Sequence, residues 1–298
     1  MKIAILILFL SLIQSEDTFS IIAVDPLTGQ VGSAGASCIA GSIIISDIHP
    51  GIGVIHTQSY WNGTNQNNAS DLMDEGVSPT GIISYLTDND IANNPSIRQY
   101  GVVDLIEGGR SAAYTGENCF DYKGHILGDT YSIQGNILLG SEILENMENQ
   151  FLSTEGNLSQ RLMASLQGAN IPGADTRCMD DSLSSLSAFV RVAKYDDFNN
   201  DYYLDINVHN VEFIGYHIDP IDSLQILYDT WYLDNLDYTL GDINQDENID
   251  ILDVIFVINI ILDIYEPNLL EILSSDINQD NIINIQDIII LIAIILDD

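Results

Sequence analysis

Two stretches of the chain space oxygen-bearing residues alike. Residues 242 to 253 read D-I-N-Q-D-E-N-I-D-I-L-D, and residues 276 to 287 read D-I-N-Q-D-N-I-I-N-I-Q-D. Positions 1, 3, 5, 9 and 12 hold Asp242, Asn244, Asp246, Asp250 and Asp253 in the first loop. In the second they hold Asp276, Asn278, Asp280, Asn284 and Asp287. Alternating side-chain oxygens, joined by the main-chain carbonyl of position 7 (Asn248 or Ile282), wrap a hard cation of calcium size. The spacing therefore predicts two Ca2+ sites. A single acidic turn arises by chance in a chain rich in Asp and Asn. Two in matching register, each followed by an Ile-rich segment, do not.

Thr18 is a second candidate. It heads the strand-like run "TFSIIAVD". A threonine with a free α-amine is a nucleophile that carries its own base. That chemistry requires Thr18 to be the first residue of the mature chain. Ahead of it, Lys2 and the apolar run over 3–13 are too short for a bilayer span and suit a signal peptide, placed at 1–15 with cleavage after Ser15. Such a cut leaves Glu16-Asp17 in front of Thr18. The nucleophile reading needs those residues trimmed, or the cut placed after Asp17. The alternatives are a buried first strand for the apolar run and an ordinary strand opener at Thr18.

The elements that must position these residues follow from patterning. Residues 18 to 25 and 31 to 38 flank "PLTGQ" and read as a hairpin. Further strands are predicted at 51–61, 99–116 (a hairpin about Gly108-Gly109), 130–138, 186–195 and 202–211. Apolar residues at three- and four-residue spacing predict helices over 141–152, 158–168 and 221–233. Two short helices earlier in the chain have Asn68 or Ser70, and Ser78, as expected N-caps. Hairpins imply antiparallel pairing, and grouped helices imply layers over sheets. The main domain, 18–233, is an α+β layered domain. A linker over 234–240 leads to a module over 241–298, whose loops feed helices at 251–265 and 285–296. The closing run "IIILIAIIL" is too short to span a bilayer.

Charge narrows the function. The 298 residues carry 44 acids against 8 bases, a formal charge of −36, and Lys194 is the last base. Phosphate binding needs Lys and Arg, so nucleic acid is excluded as a default partner, and anionic membrane surfaces are disfavoured. The balance suits a soluble secreted protein or a cation binder, and the bare acidic final third reads as an appended module. Of Cys38, Cys119 and Cys178, two can pair in an exported protein, with all three pairings open; three buried thiols are the alternative. There is no P-loop, G-x-S-x-G, H-E-x-x-H or C-x-x-C. His56, in "HTQSY", is the one histidine at a polar strand end, with a structural role as its plain alternative.

The tail, 241–298, resembles a type I dockerin: two EF-hand-like loop–helix units in a small all-α module. The resemblance implies calcium-dependent folding, docking onto a cohesin-like partner on a scaffold or cell surface, and a bacterial source. Position 6, normally Gly, is Glu247 and Asn281. Asn tolerates the left-handed backbone required there and Glu does so poorly, so the first loop is expected to bind more weakly. The usual polar recognition positions are Ile251-Leu252 and Ile285-Gln286.

The segments "TFSIIAVDPLTGQVGSAGASC", "GIGVIHTQSY", "AAYTGENC", "GHILGDTYSIQGNIL" and "DPIDSLQILYDTW" together resemble the domain-of-unknown-function 1028 family, classed with N-terminal-nucleophile (Ntn) hydrolase-like proteins. This implies a four-layer αββα sandwich, and it brings no substrate. It places Thr18 as nucleophile and Ser20, Ser37, His56, Gln58, Gln134 and Asn136 along a shared cleft. Gln134, Asn136 or nearby backbone N–H groups are the implied oxyanion donors, and Asp175 with Arg177 a charge pair close by. Only Lys123 and Lys194 remain after the leader, neither in the early segment where proteasome-type sites keep a lysine. The expectation is a secreted Ntn-type hydrolase of an amide bond; the alternative is a non-catalytic binding domain on the same fold. Helices flanking sheets also admit a homodimer.

Overall fold

The computed structural model describes residues 18–198, 200–209, 212–213 and 216–297; the expected leader at 1–15 lies outside the described residues. The chain forms two compact units that divide between Tyr228 and Asp229. In chain order the elements are β1 (Thr18–Asp25), β2 (Gln30–Ser37), β3 (Ser46–His49), β4 (Gly53–Gln58), α1 (Gly63–Asp74), α2 (Pro79–Asp88), β5 (Gln99–Asp104), β6 (Arg110–Thr115), β7 (Gly124–Gly128) and β8 (Tyr131–Gly135). They continue with α3 (Glu142–Ser153), α4 (Leu158–Gly168), β9 (Ser187–Ala193), β10 (Leu204–His209), β11 (Glu212–Phe213), β12 (Tyr216–His217), α5 (Pro220–Asp234), α6 (Ile251–Ile261), α7 (Leu269–Ser275) and α8 (Ile285–Asp297).

A six-stranded sheet runs β10-β9-β2-β1-β8-β7 and a four-stranded sheet runs β3-β4-β5-β6, with every pairing antiparallel. Side chains alternate across a strand, so each strand feeds two cores. Ile22, Val24 and Val31 of the larger sheet meet Ile48, Val54 and Val103 of the smaller one in a shared apolar cluster. On its other face the smaller sheet offers Ile55, Tyr100 and Val102 to Ala69 and Met73 of α1 and Ile82 and Leu86 of α2. The larger sheet packs its other face against α3 and α4. Gly32 on β2 is what lets α4 approach: a Cβ there would press into Leu162 and Leu158.

Local chemistry explains the boundaries. Asn62, not Asn68 or Ser70, caps α1: its side chain accepts from Thr64 N and Asn65 N. Asn68 and Ser70 lie inside the helix, because the earlier Asn62 already satisfies the exposed first-turn N–H groups. Ser78 caps α2 as expected, with Pro79 in its first turn. The first strand pair turns through Gly29 at φ 72°, with the Asp25 side chain holding Leu27 N and Thr28 Oγ1. Cys38 and Cys178 form a disulfide across a sequence separation of 140 residues. Cys119 lies outside it, with Sγ 3.3 Å from Arg98 O.

His49 ties β3 to α1. Nδ1 lies 2.6 Å from Asp74 Oδ1, and Nε2 faces Asp47 at 3.4 Å and Ser70 Oγ at 3.3 Å. Burial disfavours its charge, but the two carboxylates outweigh burial and raise the pKa above the ordinary 6.5. A raised folded-state pKa gives stability that is complete below the unfolded value and is lost as pH rises through the folded value. The melting temperature of the main domain is therefore expected to fall across neutral pH by more in the wild type than in His49→Gln. Parallel thermal melts through that range check it.

In the second unit, Ile243, Val254, Val257, Ile288 and Leu291 form one apolar cluster, with Ile249, Ile277 and Ile283 packed on it. Asp250 caps α6 in a capping box with Asp253. α7 escaped prediction because it has only seven residues; Asn268 and Glu271 fix its start by a second capping box. Among the described residues no helix is long and apolar enough to cross a membrane.

Candidate functional site

The layer between the two sheets is apolar in one half and polar in the other. β1 carries Thr18 and Ser20 in alternation with Ile22 and Val24. β4 carries His56 and Gln58 after Val54, β5 carries Gln99 two places before Gly101, and β8 carries Ser132 and Gln134. None of these polar side chains, nor Asn136, is more than 1% exposed. Gly101 has no room for a Cβ, which would collide with the Gln134 amide.

The hydrogen bonds fix one another in sequence. Gln99 Nε2 donates to Gly124 O at 3.0 Å and Gly135 O at 2.9 Å, and carbonyls only accept, so Gln99 Oε1 must face the other way. There it accepts from Gln58 Nε2 at 2.8 Å and Asn136 Nδ2 at 3.0 Å. Gln58 Nε2 also reaches Thr18 O at 3.1 Å, which turns Gln58 Oε1 to the Ser20 hydroxyl at 2.7 Å. With its one proton given to Gln58, Ser20 Oγ accepts from Gln134 Nε2 at 2.8 Å and from His56 Nδ1 at 2.9 Å. The other ring nitrogen, Nε2, lies 2.6 Å from Ser33 Oγ, which also bonds Ser46 Oγ at 2.8 Å. Burial, with a smaller contribution from Arg191, pushes the His56 pKa down to about 3. His56 is thus a neutral imidazole with both nitrogens engaged, and it has no open acceptor for a proton from Thr18 or Ser20.

Thr18 stands between two strands. It pairs with Ser37 of β2, and on the other side Asn136 N donates to Thr18 O at 3.2 Å, just beyond the Phe19–Gly135 pair. Residues directly opposite in antiparallel strands share a face. Among the described residues, Thr18 Oγ1 and Asn136 Oδ1 are buried without a hydrogen-bond partner. The Asp175–Arg177 pair expected near the site forms, with Arg177 Nε 3.0 Å from Oδ1 and Nη2 2.6 Å from Oδ2. Arg177 Nη2 also lies 3.4 Å from Ser37 Oγ, and Asp175 Oδ2 accepts from Cys38 N at 2.9 Å. The disulfide adjoins both residues and holds this pair at the end of β2. Sequence reasoning missed Gln99, Ser33 and Ser132. Their only signal was a polar residue at an inward position of a strand.

The two acidic loops of the module match in their backbone N–H bonds. Asp242 accepts from Asp246 N at 3.1 Å and Glu247 N at 3.0 Å; Asp276 accepts from Asp280 N at 3.0 Å and Asn281 N at 2.8 Å. Asn244 and Asn278 accept from the same N–H of Asp246 and Asp280. Asp246 accepts from Asn248 N and Asp280 from Ile282 N. The buried position-12 carboxylates each take three backbone N–H groups: Asp253 from Ile243, Asn244 and Asp250, and Asp287 from Ile277, Asn278 and Asn284. Asp250 accepts from Leu252 N and Asn284 from Gln286 N at the helix starts. Position 6 is left-handed in both loops, Glu247 at φ 68° and Asn281 at φ 64°. Among the described residues no group of three or more His, Cys, Asp and Glu converges as a metal cluster. The donors are nonetheless all oxygens, mixed from Asp, Asn and main-chain carbonyls, on the wrapped backbone that a hard cation requires.

Glu247 takes the left-handed conformation in spite of its Cβ, at a cost of roughly 1–2 kcal/mol. Glu247→Gly relieves that strain but adds backbone freedom to the unfolded chain. The expected net is a module about 0.5–1 kcal/mol more stable, read as a higher denaturant midpoint in its unfolding.

α6 and α8 each leave an apolar stripe exposed. On α6 and its C-cap it is Ile251, Ile255, Ile258 and Leu262; on α8 it is Ile285, Ile289, Ile292 and Leu296. Each stripe repeats at helical spacing and occupies the same places relative to its own loop.

Two antiparallel sheets with helices against them, followed by a helical module with duplicate acidic loops, define a mixed α+β domain with a dockerin module. Residues 240–296 match the dockerin type I domain, a class that binds calcium and docks onto cohesins outside the cell or at its surface. Residues 18–217 match the family of unknown function DUF1028, and the chain belongs to that family. The crystal structure of protein SPO2555 from Silicibacter pomeroyi, assigned to DUF1028, is similar, with TM-score 0.56 and 25% identity over 72% of this chain and 89% of that one. No curated protein sequence matches the chain.

Proposed function

We propose that the main domain is a four-layer αββα hydrolase of the N-terminal-nucleophile type, acting on an amide bond, with Thr18 as nucleophile and its α-amine as base. The observation that carries this reading is Thr18 Oγ1. It is buried without a partner among the described residues, at the head of β1, beside a set of amide side chains that orient one another. The family match begins at the same residue. The helix–sheet contacts on the outer faces and the shared apolar cluster between the sheets support the layered reading. The amide N–H groups of Gln134 and Asn136 already donate to Ser20 and Gln99, so backbone N–H groups are the better oxyanion donors.

The module would hold calcium through Asp242, Asn244, Asp246, Asp250, Asp253 and the Asn248 carbonyl. The second loop would use Asp276, Asn278, Asp280, Asn284, Asp287 and the Ile282 carbonyl. Folded in this way, it attaches a secreted protein to a cohesin-like partner on a scaffold or cell surface.

The test is the first residue of the protein recovered from its native secretion, followed by turnover of an amide panel by wild type and Thr18→Ala. A chain that starts at Thr18, with turnover lost in the variant, supports the reading. A chain that starts at Glu16 or earlier overturns it. The second reading, a non-catalytic display domain, is favoured by the closed network around His56. It expects no turnover and equal melting of wild type and Thr18→Ala.

A further inference from the structure

We infer that Asn136 is the positioning residue for the Thr18 α-amine, which it holds through Oδ1. This deepens the nucleophile reading and rests on it. The sequence resemblance made Asn136 an oxyanion donor; the network gives it the opposite polarity.

The argument is one of elimination among the amides of the cluster. Gln99 Oε1 is taken by Gln58 and Asn136, Gln58 Oε1 by Ser20, and Gln134 Oε1 by Ser132 Oγ at 2.7 Å. Asn136 Oδ1 alone among them is without a partner in the described residues, and Asn136 is fully buried. Its orientation is not arbitrary. The Gly124 and Gly135 carbonyls fix Gln99, Gln99 presents an oxygen, and Asn136 must answer with Nδ2. The remaining atom is therefore an acceptor. A buried acceptor without a donor is costly. An oxyanion would make it worse, whereas an N–H donor satisfies it.

Thr18 is the candidate donor, because Asn136 N binds Thr18 O, one step beyond the Phe19–Gly135 pair. The α-amine of an N-terminal Thr18 supplies N–H groups that a peptide-bonded Thr18 has in smaller number. In the neutral form the amine can donate one N–H to Asn136 and keep its lone pair for the hydroxyl proton. Gln99 acts one step behind, as the residue that sets the Asn136 amide.

The test uses the full chain beginning at Thr18, released from a removable N-terminal tag. It carries only two lysines, Lys123 and Lys194, so its α-amine is easily resolved. The probe is acetic anhydride. The acetylation rate of Thr18, read by mass spectrometry of the N-terminal peptide against pH, gives the amine pKa without any turnover. A carbonyl that accepts from the ammonium favours the charged form. Asn136→Leu is expected to lower the pKa, and Asn136→Asp to raise it by about 1–3 units. Asn136→Ser replaces the Asp variant if a buried carboxylate prevents folding, and is expected to fall between wild type and Leu. Shifts below about 0.3 unit in both Leu and Asp (or Ser) overturn the inference. A native chain that starts before Thr18 sinks the hydrolase reading but leaves this titration to decide the place of Asn136.

Discussion

Gln99→Leu is expected to destabilise the main domain by about 3–5 kcal/mol, among the largest effects of any single substitution in the chain. The shape is nearly conserved, so the loss is not a cavity. It comes from five bonds broken at once, one of them to Thr115 Oγ1 at 2.9 Å. Gln58 Nε2 and Asn136 Nδ2 lose their shared acceptor, and the Gly124 and Gly135 carbonyls lose their donor. Each buried group stripped in this way costs on the order of 1–3 kcal/mol, and coupling within the network keeps the total below a simple sum. Gln99→Glu is the informative companion: it keeps the acceptor but turns the donor end into a second oxygen facing two carbonyls. Urea unfolding of the main domain reads both. A loss under about 1 kcal/mol in Gln99→Leu would show that the network is not a determinant of the fold.

Chelation of calcium is expected to abolish the cooperative unfolding of the second unit and to leave the main-domain transition in place. Each loop carries Asp at positions 1, 5 and 12, with no Lys or Arg anywhere after Lys194 to offset them. A ligand that binds only the folded state, at one hundred times its Kd, contributes about 2.7 kcal/mol per site. Two filled sites would together exceed what a cluster of five buried apolar residues in so small a module can spare. Asp253→Ala and Asp287→Ala should each mimic part of the loss at saturating calcium. Their carboxylates join the loop start to the helix start through three backbone N–H groups apiece. Calorimetry with and without chelator decides; an unchanged second transition would remove calcium from the account.

The elements with strong periodicity were legible in the sequence. α4 was placed at its observed ends, and the β1–β2 and β5–β6 hairpins were marked by Gly at their turns. What escaped was short or lacked an apolar pattern. β3 is four residues long, three of them polar, and β7 opens and closes on Gly. The N-cap of α1 was misplaced because Asn62, Asn67, Asn68 and Ser70 all have capping chemistry, and only the backbone tells which one precedes the first turn. At the candidate site, the strand opening and a polar strand end marked Thr18 and His56, and the resemblance added Gln134 and Asn136. It could not supply Gln99 or the direction of any amide. Those depend on which carbonyls a strand brings within reach, and that is a property of register between residues far apart in sequence. The charge pair at Asp175 and Arg177 was readable because both residues lie in one short segment beside Cys178.

The bare acidic run after Lys194 has a practical side. Trypsin finds no bond to cut beyond that lysine, so residues 195–298 leave a digest as a single peptide. Amine-directed dyes, cross-linkers and resins react at Lys123, at Lys194 and at the amino terminus of a leaderless chain, and the module stays chemically untouched. A protein immobilised through its amines therefore keeps both loops and both apolar stripes unmodified. To map the module itself one can cut at aspartate, where cleavage at the loop carboxylates reports how firmly each is held.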